Sequence, residues 1–265
     1  MEILFSYYPG RKRKAVTFSY DDGQKIGDTK LVEIFNRYNV KGTFHLNSAG
    51  MDGTTQKISL AEAEELYKGH EISCHGANHY FMENLPEGII MDEIIKDRQA
   101  LEKIAGYTVR GMSYPFGNYS DRLIEVLKVC GMEYSRTTKA TNNFKIPEDF
   151  MKWHPTCHHG ADLDELLEKF ANHRYSNMPI FYIWGHSFEF VRDDNFDKIE
   201  KFLEKVTKYD DIWFATNIEI CDYITAIRNL KISADKTMIY NPTCTTVTVE
   251  VDGEPFDVKP GNNTL

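Results

Sequence analysis

No stretch of the 265 residues approaches the roughly 20 consecutive apolar positions that a membrane-spanning helix requires, so a transmembrane role is not expected. Positive charge is also short: 31 Lys and Arg stand against 40 Asp and Glu, a formal net charge of −9, and a nucleic-acid surface would need a basic excess to neutralise phosphates. The one basic run, Arg11-Lys12-Arg13-Lys14, reads as a solvated approach to the first strand. Five cysteines, Cys74, Cys130, Cys157, Cys221 and Cys244, have no paired spacing, which argues against a disulfide framework and a Cys-based zinc site. The first nine residues are too short and too tyrosine-rich for a secretory leader, and the expected location is cytoplasmic. Repeats and low-complexity linkers are lacking too.

What remains is an ordinary packed composition, 42% hydrophobic and 13% aromatic, in a length that suits one large α/β core. Short β-rich runs at 15–20, 42–47, 71–75, 109–114, 133–136, 180–184 and 212–215 alternate with amphipathic stretches, and an eighth run is expected within 151–156. Leu31, Ile34, Phe35 and Tyr38, and again Phe196, Ile199, Phe202, Leu203 and Val206, recur at helical spacing. Ser59 with Glu62 reads as a capping box, and Gly106 and Gly131 stand where helices should stop. The expected architecture is a distorted (β/α) barrel of about seven strands over 1–230. A small β appendage over 231–265 follows, its hairpin marked by Asp252-Gly253.

Four segments carry chemistry. Thr17-Phe18-Ser19-Tyr20-Asp21-Asp22-Gly23 sets two carboxylates at the end of a strand, where barrel enzymes gather their catalytic groups. Ser73-Cys74-His75-Gly76-Ala77-Asn78-His79 presents two imidazoles four residues apart. Together with a carboxylate these suit zinc, though cobalt, manganese or nickel accept the same donors. The run from Arg110 through Tyr114, Pro115 and Phe116 to Gly117 is a strand broken at a Pro and a Gly, able to wall a pocket. The fourth segment, Phe181 to Phe190, delivers His186 just after Trp184 at a strand's carboxyl end, a place for a general acid. Each alone also reads as a turn, or as a surface or core residue.

In this order the four segments resemble the polysaccharide deacetylase family, also called carbohydrate esterase family 4, over residues 14 to 228. The resemblance implies hydrolysis of N-acetyl or O-acetyl groups on a carbohydrate by metal-activated water. It implies one divalent metal on Asp22, His75 and His79, Asp21 as catalytic base and His186 as catalytic acid. Two departures accompany it. The family's base-orienting arginine falls at Ser113, so that either Arg110 or Arg136 replaces it or nothing does. The acid-tuning Asp-Trp segment has no clear counterpart, although Trp153 and His158 occupy an unusual Trp-His-Pro-Thr-Cys-His-His run as a pocket wall and a polar contact. Expected partners are an acetylated saccharide or a small amide, without nucleic acid or membrane, and a homo-oligomer is compatible. The alternatives are a hydrolase of a small non-sugar amide or cyclic ureide on the same scaffold, and a non-catalytic carbohydrate- or metal-binding protein.

Overall fold

Lys14–Asp21 alternates large apolar with small or polar residues, yet nearly all of it is buried. Phe18 and Tyr20 pack against Phe35 of the helix that follows, so Thr17, Ser19 and Asp21 point to the opposite face. A strand covered on both sides belongs to a curled parallel sheet with helices outside and a polar lumen inside. The computed structural model, which describes residues 1–51, 53, 56–173 and 178–265, has that architecture.

In chain order the strands are β1 (Ile3–Leu4), β2 (Lys14–Asp21), β3 (Thr43–Leu46), β4 (Glu71–Cys74), β5 (Gly111–Ser113), β6 (Tyr134–Arg136), β7 (Cys157–His158), β8 (Ile180–His186), β9 (Ile212–Phe214), β10 (Lys231–Ile232), β11 (Met238–Asn241), β12 (Val247–Val251), β13 (Glu254–Val258) and β14 (Gly261–Thr264). The helices are α1 (Lys25–Arg37), α2 (Leu60–Leu66), α3 (Glu87–Ala105), α4 (Asp121–Val129), α5 (Leu163–Ala171), α6 (Ser187–Arg192), α7 (Phe196–Val206) and α8 (Asn217–Asn229). The parallel sheet runs β6-β5-β4-β3-β2-β8-β7, with β9 beside the start of β2. All seven expected strands are present.

The eighth begins at Cys157, just past the expected 151–156. Residues 150–152 form a 3-10 turn and Pro155 has no N–H to give a ladder, which delays pairing. This stretch closes the curl. Trp153 bridges to Arg136 of β6, while Cys157 and His158 pair with Ile183 and Trp184 of β8. The lower mouth is plugged by α8: Asn217 N–H donates to Thr43 Oγ1 and Ile218 N–H to Glu71 Oε2, each at 2.9 Å. Burial pushes the Glu71 carboxyl up to about 7 despite the hydrogen bonds it accepts from the Tyr134 hydroxyl and the Ile218 N–H. The upper mouth is thereby the end left for a site.

The local signals at 59, 106 and 252–253 are realised. Ser59 and Glu62 make a reciprocal cap on α2, Gly106 ends α3 in a left-handed conformation, and Asp252-Gly253 turns the β12–β13 hairpin with both φ angles positive. Residues 231–265 supply five strands of two three-stranded sheets, and the sixth, β1 from the other end of the chain, pairs with β12. A boundary drawn at 230 therefore divides a sheet that both termini build. Ile239, Val247, Val249 and Val258 share one core with Tyr223 and Ile224 of α8. Cys74, Cys130, Cys157 and Cys221 are buried free thiols and Cys244 is exposed. Among the described residues no helix is long and apolar enough to cross a membrane.

Candidate active site

Asp21 ends β2 with His45 of β3 and His186 of β8 as its register partners on either side. Its Oδ1 accepts from Ser113 Oγ at 3.1 Å, and its Oδ2 is held by Arg136 Nη2. Arg136 is the register partner of Ser113 on the neighbouring strand, so the guanidinium comes from one strand over and passes the short serine. It is fully buried and lies over the Trp184 ring, 4.3 Å from its centroid. Burial would raise the pKa of Asp21, but Arg136 and the imidazoles of His75, His45 and His186 outweigh it and hold the carboxyl well below the usual range.

Arg110 is corrected here. It precedes β5 and pairs with Glu133 at 2.6 Å and Asp222 at 2.7 Å, at the amino-terminal end of the sheet and away from Asp21. Of the two candidate arginines, Arg136 is the one at the site.

Asp22 Oδ1 lies 3.7 Å from His75 Nε2 and 3.8 Å from His79 Nε2. Two atoms bonded at about 2.1 Å to one ion can stand up to about 4.2 Å apart, so these spacings are within one cation's reach. The tautomer also fits. His75 Nδ1 is 2.9 Å from the Ser113 carbonyl, which only accepts, so the proton sits on Nδ1 and the Nε2 lone pair faces Asp22. Burial lowers the His75 pKa against the pull of Asp21 and Asp22, keeping a neutral imidazole ready to ligate. Both Asp22 and His79 take positive φ, 82° and 58°. Two buried carboxylates of α3 brace the loop: Asp97 accepts from the His75 N–H at 3.1 Å, and Glu93 Oε2 accepts from Asn78 Nδ2 at 2.7 Å.

His186 closes β8, half-buried, with Nδ1 3.7 Å from Glu189 Oε2, the first helical turn of α6 having brought that carboxylate back over it. Burial disfavours the imidazolium, but Glu189, Asp21 and Asp22 together win and its pKa is raised. Glu189 also accepts from His158 Nε2 at 2.9 Å and His159 Nε2 at 3.0 Å.

The turn after β5 places its residues differently. Tyr114 is buried, with its hydroxyl on Met151 O at 2.8 Å, and Pro115 is buried beneath the loop. Phe116, at φ 60°, is 53% exposed and stacks on the 50%-exposed Phe81 at 4.6 Å, while its ring edges onto His79 at 4.5 Å. These rings form an apolar ledge at the metal-type ligands. His79 also lines a cleft of about 440 Å³ with Asp22, Asn47, Lys57, Ala77 and Asn78. Trp153, expected as a pocket wall, is 2% exposed between Tyr134, Phe150 and Tyr182. The pairing of residue 153 with β6 turns its side chain into the core.

Asp21, Asp22, His75, His79, Arg136, Trp184 and His186 are thus brought together, with Phe116 and His158 at the margin. Glu189, His159, His45 and Ser113 were not picked out as site residues. Glu189 had a signal: it lies three residues beyond His186 at a helix start, a spacing that returns a side chain to its origin. His45 is buried inside β3 with neither ring nitrogen hydrogen-bonded among the described residues, and nothing in the local pattern announces it.

Residues 9–135 match the family model described as polysaccharide deacetylase. A peptidoglycan-N-acetylglucosamine deacetylase of Bacillus cereus is 28% identical over 112 residues, covering 42% of this chain and 39% of that protein. The chain spans only 17% to 40% of the length of the curated relatives it matches. Among solved structures, the Xyl-CE4 domain of a multidomain xylanase from the hindgut metagenome of Trinervitermes trinervoides superimposes with a TM-score of 0.57 at 16% identity, over 80% of this chain and 92% of that one. A family 4 acetyl xylan esterase from Clostridium thermocellum, in complex with a cobalt ion, gives 0.55 at 20% identity, over 78% and 90%. At these identities the likeness is one of fold.

Proposed function

Because this chain belongs to the polysaccharide deacetylase family, we propose that it removes N-acetyl or O-acetyl groups from a carbohydrate, with a divalent metal held by Asp22, His75 and His79. The observation that carries this reading is the convergence of that ligand set with an arginine-held carboxylate and a carboxylate-faced histidine at the carboxyl ends of β2, β4 and β8. A metal bound there supplies Lewis acidity to the acyl carbonyl and lowers the pKa of water, and zinc, cobalt, manganese and nickel all accept these donors.

The remaining work falls to the chain. Asp21, kept ionised by Arg136, takes the proton of the attacking water. In the turn after β5, Tyr114 N–H donates to Arg136 O, Gly117 N–H to Tyr114 O, and Pro115 has none. The Phe116 N–H is the donor left for the developing oxyanion. His186, protonated, gives its proton to the departing amine nitrogen or alcohol oxygen as the acyl bond breaks. The Phe81–Phe116 ledge offers a flat ring for the C–H face of a pyranose.

The test is acetate release from acetylated chito-oligosaccharides and acetylated xylan. Chelation is expected to abolish it and zinc, cobalt or manganese to restore it. Undiminished release from a verified metal-free preparation would overturn the metal, and hydrolysis of small acyl amides alone would overturn the sugar.

A second expectation concerns Glu189. The His186 pKa is raised, so the protonated acid persists above the ordinary histidine range and activity falls as pH rises through that pKa. Glu189→Gln removes one of the charges responsible, and the alkaline limb of the pH–rate profile should move to lower pH. An unmoved limb at equal metal content would show that Glu189 does not act on His186.

A further inference from the structure

The proposed reaction uses one imidazole of the three that surround Glu189. The other two, His158 and His159, come from the unusual run that closes the sheet. Their Nε2 atoms lie 2.9 and 3.0 Å from the same Glu189 oxygen that stands 3.7 Å from His186 Nδ1. His159 is 5% exposed, and its ring is fixed by Tyr20 at 5.7 Å, by Phe190 at 4.1 Å and by the backbone of Gly185. A Cβ at Gly185 would stand 2.2 Å from His159 Nδ1, so only glycine lets the ring lie there. That Nδ1 has no hydrogen-bond partner among the described residues, and the ring cannot turn away to find one. His158 and Glu189 remain partly open, with 34% and 18% of their side chains exposed, which gives solvent a way in.

We propose that His158, His159 and Glu189 form a second divalent-cation site of zinc type, separate from Asp22, His75 and His79. The two sets have the same donors, two imidazoles and one carboxylate, and in each the three ligand atoms lie within 4.8 Å of one another. In the second set the rings and the carboxylate are already placed, so little ordering is needed on binding.

The second site is the weaker. His158 Nδ1 accepts from the Gly160 N–H at 3.1 Å, which puts the ring's proton on Nε2. A cation at Nε2 displaces that proton, and a proton carried instead on Nδ1 forfeits the Gly160 contact. One lost hydrogen bond lowers affinity on the order of tenfold. Filling the site also engages the carboxylate that faces His186.

The experiment is a titration of the metal-stripped full chain with zinc chloride against a chromophoric chelator, with elemental analysis after gel filtration. The variants are Asp22→Ala, Glu189→Gln and His158→Asn, the last a partly exposed position whose change leaves the core intact. Wild type is expected to bind two equivalents in two affinity classes. The weaker should vanish in His158→Asn and Glu189→Gln and survive in Asp22→Ala. A single equivalent lost in Asp22→Ala overturns the second site, as does a second equivalent retained by both His158→Asn and Glu189→Gln. One equivalent that survives Asp22→Ala and vanishes in His158→Asn supports the second site and overturns the Asp22 centre instead.

Discussion

Asp21→Asn should retain its metal nearly in full and lose turnover by about 10²–10⁴-fold, the range that a general base contributes. The amide keeps the shape of the carboxylate and still meets Ser113 and Arg136, but it cannot accept the proton of water. Asp22→Asn should do the opposite in order: metal is lost first, activity follows, and high metal concentration partly restores it. The two residues are adjacent, yet their backbones diverge. Asp21 ends a strand with its side chain in the lumen, whereas Asp22 turns to φ 82° and faces the imidazoles. Metal content and turnover measured on both variants in one buffer separate the defects. If Asp21→Asn were the metal-deficient variant and Asp22→Asn lost only rate, the two roles would be exchanged.

Arg136→Met should lower both stability and rate. Removing one partner of a buried ion pair leaves the other charge uncompensated, at a cost of about 3–5 kcal/mol, so denaturation should begin earlier. The signs follow from Asp21. Its folded pKa is depressed, so the stability it contributes is present above its unfolded value of about 3.9 and is lost as pH falls through the folded value. With Arg136 gone, burial dominates and the Asp21 pKa rises. The variant should therefore show a new acidic limb in its pH–rate profile, as the base becomes protonated where the wild type is not. Arg136→Lys keeps the charge but loses the planar stack on Trp184, and should fall between the two. A stable Arg136→Met enzyme with the parental profile would remove arginine from the account of the base.

Much of this was legible along the chain because the physics involved is local. Short β-rich runs marked the strands, spacing of three and four marked α1 and α7, and Ser59, Gly106 and Asp252-Gly253 marked ends and turns through their own backbone requirements. A carboxylate pair and a histidine pair just past strands made Asp21, Asp22, His75 and His79 candidates, since parallel strands deliver their carboxyl ends to one mouth, and their roles came from the resemblance of the four segments, in order, to the polysaccharide deacetylase family.

Tertiary structure alone decided between Arg110 and Arg136. Arg110 comes just before β5 and Arg136 ends β6, and register places Arg136 opposite Ser113 at the upper end and Arg110 among Glu133 and Asp222 at the lower. Register is set by how every strand of the sheet packs, and no segment read by itself contains it. The same holds for Trp153, whose single bridge to Arg136 turns it into the core, and for His158, His159 and Glu189, which meet only because the chain between Trp153 and His158 closes the sheet beside β8. Local sequence determined which elements form and which chemical groups they carry, because propensity and periodicity act over a few residues. Which groups touch was decided by long-range packing, because a contact between strands is paid for by the whole sheet and not by the residues that make it.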